Sequence, residues 1–471
     1  MARRKPQLVK NVNITGIADA GMSVGRSPEG EVIFVQGGVP GDVIDAMVFK
    51  KRKKIKIAAV HQIIKLSSDR TKPFCEHFNE CGGCKWQNLS YESQLKHKHT
   101  IVNDAMKRIG KISEVEVEDV LGAKDIRYYR NKLEFAFAPY RWLTKEEIEQ
   151  KGEIKQSPSA GFHISGSYNK ILDIRQCHLQ NDLNNDIRNF IKSFCISNQL
   201  HFYNVDTHEG FIRNIIIRNT TFGHWMLIIS VAKNDAKKIK LLMDAVKNEF
   251  SFLTSLYYVV NSKKNDFILD LDFHLWSGQA FIIEQLGEVK YKIGPKSFFQ
   301  TNSYQAKELF DLVMEMGAFT KEENVYDLYC GLGSIGLYVA SHVKSVVGIE
   351  EISAAIEDAN TNAAFNKIEN CTFYAGDVKD ILDQDFIIKH GKADVVITDP
   401  PRAGMHTKVV DTLLALEAPK IVYVSCNPAT QARDLLLLKE KYDVIRLKPV
   451  DMFPHTSHVE NIALLQLKQI F

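Results

Sequence analysis

From about residue 300 the chain alternates short apolar runs with helix-like segments, and this alternation restricts the fold more than any other feature. The runs are Asn324 to Tyr329, Ser345 to Ile349, Thr372 to Ala375, Asp394 to Thr398 and Ile421 to Val424. Strands separated by helical crossovers lie parallel, so a doubly wound α/β sheet is expected. Such sheets bind ligands beyond the carboxyl ends of their strands, and the chemically suggestive residues of this half all follow such runs.

Gly331-Leu332-Gly333-Ser334-Ile335-Gly336 follows the first run, and Glu350 stands at the end of the second. Glycines let a ligand approach the backbone, and an acid at that offset can accept hydrogen bonds from a ribose diol. A dinucleotide site would show the same two features. The lead-in Asp327-Leu328-Tyr329-Cys330 instead resembles the first motif of S-adenosylmethionine-dependent methyltransferases. Asp399-Pro400-Pro401-Arg402 closes the fourth run, where two prolines remove two N–H donors and suit a rigid pocket wall. Enzymes that methylate exocyclic amines carry an aromatic residue where Arg402 stands, which argues against that chemistry. Cys426, in Ser425-Cys426-Asn427-Pro428, follows the fifth run. A thiolate there can add to carbon 6 of a uracil and make carbon 5 nucleophilic enough to take a methyl group. The proton on carbon 5 must then leave, and Glu460, just before the run Ile462 to Leu467, is the candidate base. Taken singly, a buried inert cysteine and a surface glutamate are the plainer readings.

Three domains are expected: residues 1–65 as a small β-barrel, 66–295 as an α+β region holding a cysteine cluster, and 296–471 as the methyltransferase sheet. Residues 1–60 carry eleven Lys or Arg against five acids, while the whole chain has a net charge of only +3. A basic module on a near-neutral body is the footprint of a polyanion partner. The run Lys50 to Lys54 also fits a solvated hairpin tip. Short alternating runs punctuated by glycines predict the barrel, and Gly37-Gly38-Val39-Pro40-Gly41-Asp42 with the basic run after it resembles the TRAM domain, an OB-like RNA-binding barrel. Helices are expected at about 95–110, 181–198 and 236–248. With no signal-like or membrane-spanning apolar segment in the sequence, a cytoplasmic protein is expected.

Cys75, Cys81 and Cys84 crowd into ten residues of a chain with eight cysteines, a density that points to metal binding. Cys177 is the most plausible distant fourth ligand. Four thiolates suit either zinc or an iron–sulfur cluster, and spacing does not choose between them. His77 and His178 lie near enough to compete as ligands.

Together these residues resemble the RNA uridine-C5 methyltransferases, in particular the ribosomal-RNA branch with a TRAM barrel and a 4Fe-4S cluster, often called RumA-like. The likeness rests on the cysteine spacing, Phe298-Phe299-Gln300-Thr301-Asn302, Asp327 to Gly331, Asp399 to Arg402, Val424 to Pro428 and Asp451-Met452-Phe453-Pro454-His455-Thr456. The resemblance implies Cys426 as nucleophile and Glu460 as base. It also implies Gln300, Tyr329, Glu350 and Asp399 as contacts of S-adenosylmethionine, and Cys75, Cys81, Cys84 and Cys177 as ligands of a 4Fe-4S cluster. The implied substrate is RNA, 23S ribosomal RNA in this branch, with Phe298 and Tyr129-Arg130-Asn131-Lys132 near it. Two departures stand out: Ser334 replaces the Asn of some relatives, and Leu143 to Ser157 reads as an insertion. One chain holds every part of the mechanism, so no obligatory protein partner is expected. The competing readings are an amine methyltransferase of nucleic acid or protein, an NAD-dependent oxidoreductase, and a non-catalytic iron–sulfur RNA-binding protein.

Overall fold

The computed structural model describes residues 7–18, 21–52, 55–143, 147, 156–164, 166–167 and 169–469. Lys53 and Lys54, and most of the stretch Leu143 to Ser157, lie outside these residues.

The first five strands, β1 (Gln7–Ile17), β2 (Ser23–Arg26), β3 (Val32–Gln36), β4 (Val43–Arg52) and β5 (Ile55–Lys65), close a barrel in the order β1-β2-β3-β5-β4. Every second residue points inward, so Val12, Ile14, Ile33, Val35, Ile44 and Ala46 form its core. Buried Asp42 fastens the barrel to the segment that follows. Its carboxylate accepts from Val39 N (2.7 Å), Ser67 N (2.9 Å) and Arg70 Nη2 (2.5 Å).

The next sheet has the order β12-β11-β10-β9-β6-β7-β8. Its strands are β6 (Lys132–Ala138), β7 (Ser159–His163), β8 (Ile171–Asp173), β9 (Ile212–Asn219), β10 (Trp225–Val231), β11 (Ser255–Val260) and β12 (Phe273–Gly278). Helices Leu183–Ser197 and Ala236–Glu249 bury Ile187, Ile191, Leu242 and Val246 in a core shared with Leu133, Phe135 and Ile217 of the sheet. A hairpin, β13 (Ile282–Leu286) and β14 (Val289–Ile293), then sends Tyr291 and Ile293 into the core of the last domain.

That domain carries β15 (Asn324–Leu328), β16 (Ser345–Glu350), β17 (Cys371–Ala375), β18 (Val395–Thr398), β19 (Lys420–Ser425), β20 (Tyr442–Val450) and β21 (Glu460–Leu467), in the order β17-β16-β15-β18-β19-β21-β20. The first five are parallel, as expected, with apolar cores on both faces. The chain leaves β15 toward β16 on one side and fills β18 and β19 on the other, which sets the topological switch point between β15 and β18.

Three features differ from the sequence reading. The alternation ends at β19, because β20 and β21 form an antiparallel pair with no helix between them. Glu460 is the first residue of β21 rather than part of the loop before it. The helix expected near 95–110 spans Tyr91–Arg108, started by Ser90, whose side chain accepts from Ser93 N. It packs on helix Pro428–Leu438 and on β20, so Val102, Ala105 and Met106 join the methyltransferase core. Among the described residues, no helix is long and apolar enough to cross a membrane.

Candidate active site

Register places the predicted ligand contacts in one row. Leu328 pairs with Ile349 and with Thr398, so Tyr329, Glu350 and Asp399 leave three adjacent parallel strands at the same level. The chain turns sharply there: Tyr329, Gly331 and Gly333 have φ of 63°, 57° and 78°. Glu350 fixes the turn, accepting from Gly331 N (3.1 Å) and Ile352 N (3.0 Å). Buried Asp327 accepts from Gly336 N (2.8 Å) and so fixes the start of helix Ser334–Val339; burial pushes its carboxyl up to about 7. A Cβ added at Gly331 would meet nothing within 4 Å, so the backbone lines open space beside this row. Those features make a cradle that a ligand can occupy with its polar atoms on backbone N–H groups and carboxylates.

Two strands further on, Ser425 pairs with Asn461 across the antiparallel β19–β21 ladder. Cys426 directly follows Ser425 and Glu460 directly precedes Asn461, so both lie at this end of the ladder, and Glu460 acts on the thiol. Gln431 locks this end of the ladder, donating to Tyr423 O (2.8 Å) and Asn461 O (3.1 Å) while its Oε1 accepts from Asn461 Nδ2 (2.7 Å). Asn427 caps helix Pro428–Leu438 and also donates to Arg402 O at 2.9 Å; Thr430 Oγ1 donates to the same carbonyl at 3.2 Å. Buried Asp434 accepts from Met405 N (2.8 Å) and Tyr423 Oη (2.7 Å). The Asp399–Arg402 segment is thereby tied to the cysteine turn.

These groups titrate as one set. Burial, and then Asp399, push Glu460 up to about 8, while Arg402 and Lys98 pull it back. Burial pushes the Cys426 thiol up to about 11, with Glu460 and Asp399 adding to the rise and Arg402 opposing it. Asp399 itself is raised to about 7 by burial. Two carboxyls and a thiol in a poorly solvated pocket cannot all ionise without a cation, and Arg402 is the cation that favours the charged forms of both Cys426 and Glu460. Sequence reading used Arg402 only to argue against amine methylation.

The Phe298–Asn302 loop is held from the central sheet. Buried Arg218 of β9 donates to Gly294 O (3.3 Å) and Ser297 O (2.8 Å), and Asn131 donates through Nδ2 to Gln300 O (2.8 Å) and through N to Thr301 O (2.9 Å). Phe299 is buried, Gln300 is half-buried, and Phe298 is 71% exposed. In Tyr129-Arg130-Asn131-Lys132, the Tyr129 side chain is internal, its hydroxyl donating to Pro454 O at 3.0 Å.

Cys75, Cys81, Cys84 and Cys177 line one cavity of about 130 Å³, together with apolar Leu133 and Ile174. Burial pushes Cys81 and Cys177 up to about 12 and Cys84 to about 11, and the thiols raise one another further. His77 Nε2 accepts from Arg175 N at 3.0 Å and His178 Nδ1 meets Tyr128 Oη at 3.2 Å, so each histidine has another partner. Among the described residues, no three His, Cys, Asp or Glu side chains close around a single ion position. A larger cavity, about 580 Å³, lies beside the β13–β14 hairpin, and neither Cys426 nor Glu460 lines it.

Sequence reading missed what the loop Asp451–Thr456 does. It accepts Lys85 N (2.8 Å) and Trp86 N (3.1 Å) on His455 O, just beyond Cys84, and Gln94 bonds His455 through both its N and ring. Lys98, on the helix Tyr91–Arg108, forms a buried ion pair with Asp451 at 2.5 Å. Partners more than 350 residues apart leave no local signal.

Residues 245–468 match the family described as tRNA (Uracil-5-)-methyltransferase. An uncharacterized RNA methyltransferase of Bacteroides thetaiotaomicron is 47% identical over 93% of this chain and 97% of its own length. One of Porphyromonas gingivalis is 46% identical over 96% of this chain and 99% of its own. The structure of the tRNA (uracil-54, C5)-methyltransferase of Pyrococcus abyssi, in complex with S-adenosyl-L-homocysteine, is similar with a TM-score of 0.75 and 31% identity, covering 96% of this chain and 99% of that one.

Proposed function

The chain belongs to the RNA (uracil-C5)-methyltransferase family and is an S-adenosylmethionine-dependent enzyme; from there we propose that Cys426 is its nucleophile, Glu460 its base and 23S ribosomal RNA its substrate. The observation that supports the residue roles is that Cys426 and Glu460 adjoin the paired residues Ser425 and Asn461 at one end of the β19–β21 ladder, with Asp399 and Arg402 acting on both.

S-adenosylmethionine supplies the methyl group as an electrophile on a sulfonium. The open backbone at Gly331 and the row Tyr329, Glu350 and Asp399 fit its binding, with Gln300 a further contact. Cys426 Sγ bonds to carbon 6 of the uracil, and the carbon 5–carbon 6 π pair moves toward carbon 5 and the carbonyl at carbon 4. Carbon 5 takes the methyl group, and the pair of the broken sulfur–methyl bond stays on the donor sulfur, which leaves as a neutral thioether. Glu460 then removes the carbon 5 proton, the C–H pair restores the double bond, and the carbon 6–sulfur pair returns to Cys426. Arg402 favours the thiolate at the start and the carboxylate at the end. A uracil within a stacked helix presents neither ring carbon to a thiolate, so the target must be unpaired or flipped out, and Phe298, with its ring exposed, is the residue we assign to stack on a base.

The four-thiol cavity supports a 4Fe-4S cluster. Four thiolates around one cavity suit zinc as well as a cluster, and the cluster is the choice that the family resemblance implies. When bound, the cluster would supply cross-links between Cys75–Cys84 and Cys177. Iron and sulfide analysis after anaerobic purification tests this: zinc without sulfide would refute it.

Ribosomal RNA is supported by the barrel combined with the cysteine set, the organisation that resembles the ribosomal branch. Transfer RNA is the second reading, favoured by the whole-length likeness to the Pyrococcus enzyme. Mapping 5-methyluridine in total RNA from cells with and without the protein separates them. For the mechanism, Cys426→Ala is expected to abolish both turnover and the covalent RNA adduct, and Glu460→Gln to accumulate the adduct on denaturing gels. Wild-type activity in either variant would remove the assignment.

A further inference from the structure

We propose that Lys98 is a positioning residue for the proton-abstraction step: it holds the loop before β21 and presents a fixed internal cation to Glu460. This rests on the assignment of Glu460 as the base.

Lys98 and Asp451 side chains are both 0% exposed, and their N–O separation is 2.5 Å. Lys98 Nζ also donates to Phe453 O at 3.1 Å. Asp451 is fully occupied on its own side: Oδ1 accepts from Phe453 N (3.0 Å) and Oδ2 from Tyr91 Oη (2.9 Å). Stability alone does not account for such a pair, since apolar residues of the same volume serve a protein core as well or better. Its location does. Val450 lies directly across the ladder from Glu460, and Asp451 is the next residue, so the pair fixes the loop where the base enters its strand.

The charged and titratable groups around Glu460 come from every neighbouring element. Asp399 and Arg402 come from the end of β18, Cys426 from the end of β19, Lys98 from the helix Tyr91–Arg108, and His458 from the segment leading into β21. Arg402 is exposed, open to both water and substrate. Lys98 is sealed, and its charge favours ionised Glu460 whether or not RNA is bound. Burial lowers the Lys98 ammonium, and the Asp451 carboxylate opposes that fall.

The test follows single turnovers of RNA tritiated at uridine carbon 5, reading tritium release against pH together with the covalent adduct on denaturing gels. Lys98→Met should move the release profile to higher pH. At pH well below the wild-type midpoint, release should slow about tenfold for every pH unit the midpoint moves, and adduct should accumulate while its formation stays near wild type. The double variant Lys98→Met/Asp451→Leu removes both charges, keeps the site packed, and should move the profile equally. Unmoved profiles in both folded variants, or adduct formation and release falling by one common factor, would overturn the proposal. Where only the double variant folds, its profile alone decides. Glu460→Gln run alongside separates the two levels: tritium release at the wild-type rate would remove the base itself, while blocked release with unmoved Lys98 variants removes only this inference.

Discussion

Glu460 illustrates how one residue links stability to chemistry. Its folded value near 8 lies above the ordinary 4.5, so the folded protein holds this proton more tightly than the unfolded chain does. The stability this confers is complete below about 4.5 and is lost as pH rises through about 8. Glu460→Gln, which cannot lose a proton, should therefore melt above wild type at pH 9, by an amount on the order of a few kcal/mol, and show no such advantage at pH 4. Calorimetry at the two pH values checks it; an equal difference at both would mean that packing, not ionisation, sets the effect. Tritium release by the wild type should rise over the same interval, because only the carboxylate can accept the carbon 5 proton. Residues of this kind were legible where chemistry demands a particular side chain at a strand end. Lys98 was not, because a lysine in an amphipathic helix normally belongs to its wet face.

At the scale of elements, the site depends on how loops are fastened to strands. Asp434 on the helix Pro428–Leu438 holds Met405 N and Tyr423 Oη together, and so holds the segment Asp399–Arg402 against β19. Asp434→Leu leaves those two donors unsatisfied and should destabilise the fold by about 2–5 kcal/mol, measured by urea unfolding, with slower adduct formation in the protein that remains folded. β15, β18 and β19 were legible because each is a short, mostly apolar run buried on both faces. β20 was hidden: Tyr442–Val450 interleaves Asp443, Arg446 and Lys448 with its buried residues and contains Pro449. Its sequence resembles an edge strand or a loop, and only pairing with β21 decides. Likewise, the cysteine spacing suggested a ligand set, but that the four thiols share one cavity depends on the path of β7 and β8 between Cys84 and Cys177.

Across the whole molecule, the barrel carries the excess positive charge while the proposed reacting groups lie at the carboxyl edge of the last sheet. RNA affinity and catalysis should therefore separate. Lys50→Glu combined with Lys51→Glu is expected to weaken RNA binding and to flatten its dependence on log salt by about 0.7–0.9 for each phosphate no longer neutralised, leaving S-adenosylmethionine affinity unchanged. Filter binding over a salt series and calorimetric titration of the cofactor measure the two effects. An unaltered salt slope would place the RNA elsewhere on the surface.

The Lys98–Asp451 pair joins positions 353 residues apart, and the helix that carries Lys98 is buried against β20 and the helix Pro428–Leu438. At ribosomal elongation rates of about 5–20 residues per second, the amine waits roughly 20–70 s for its partner after it has been synthesised. Until then the nascent chain lacks the β20 and Pro428–Leu438 surfaces on which Val102, Ala105 and Met106 are buried in the folded protein. The proposed base, Glu460, therefore joins the site only late in translation.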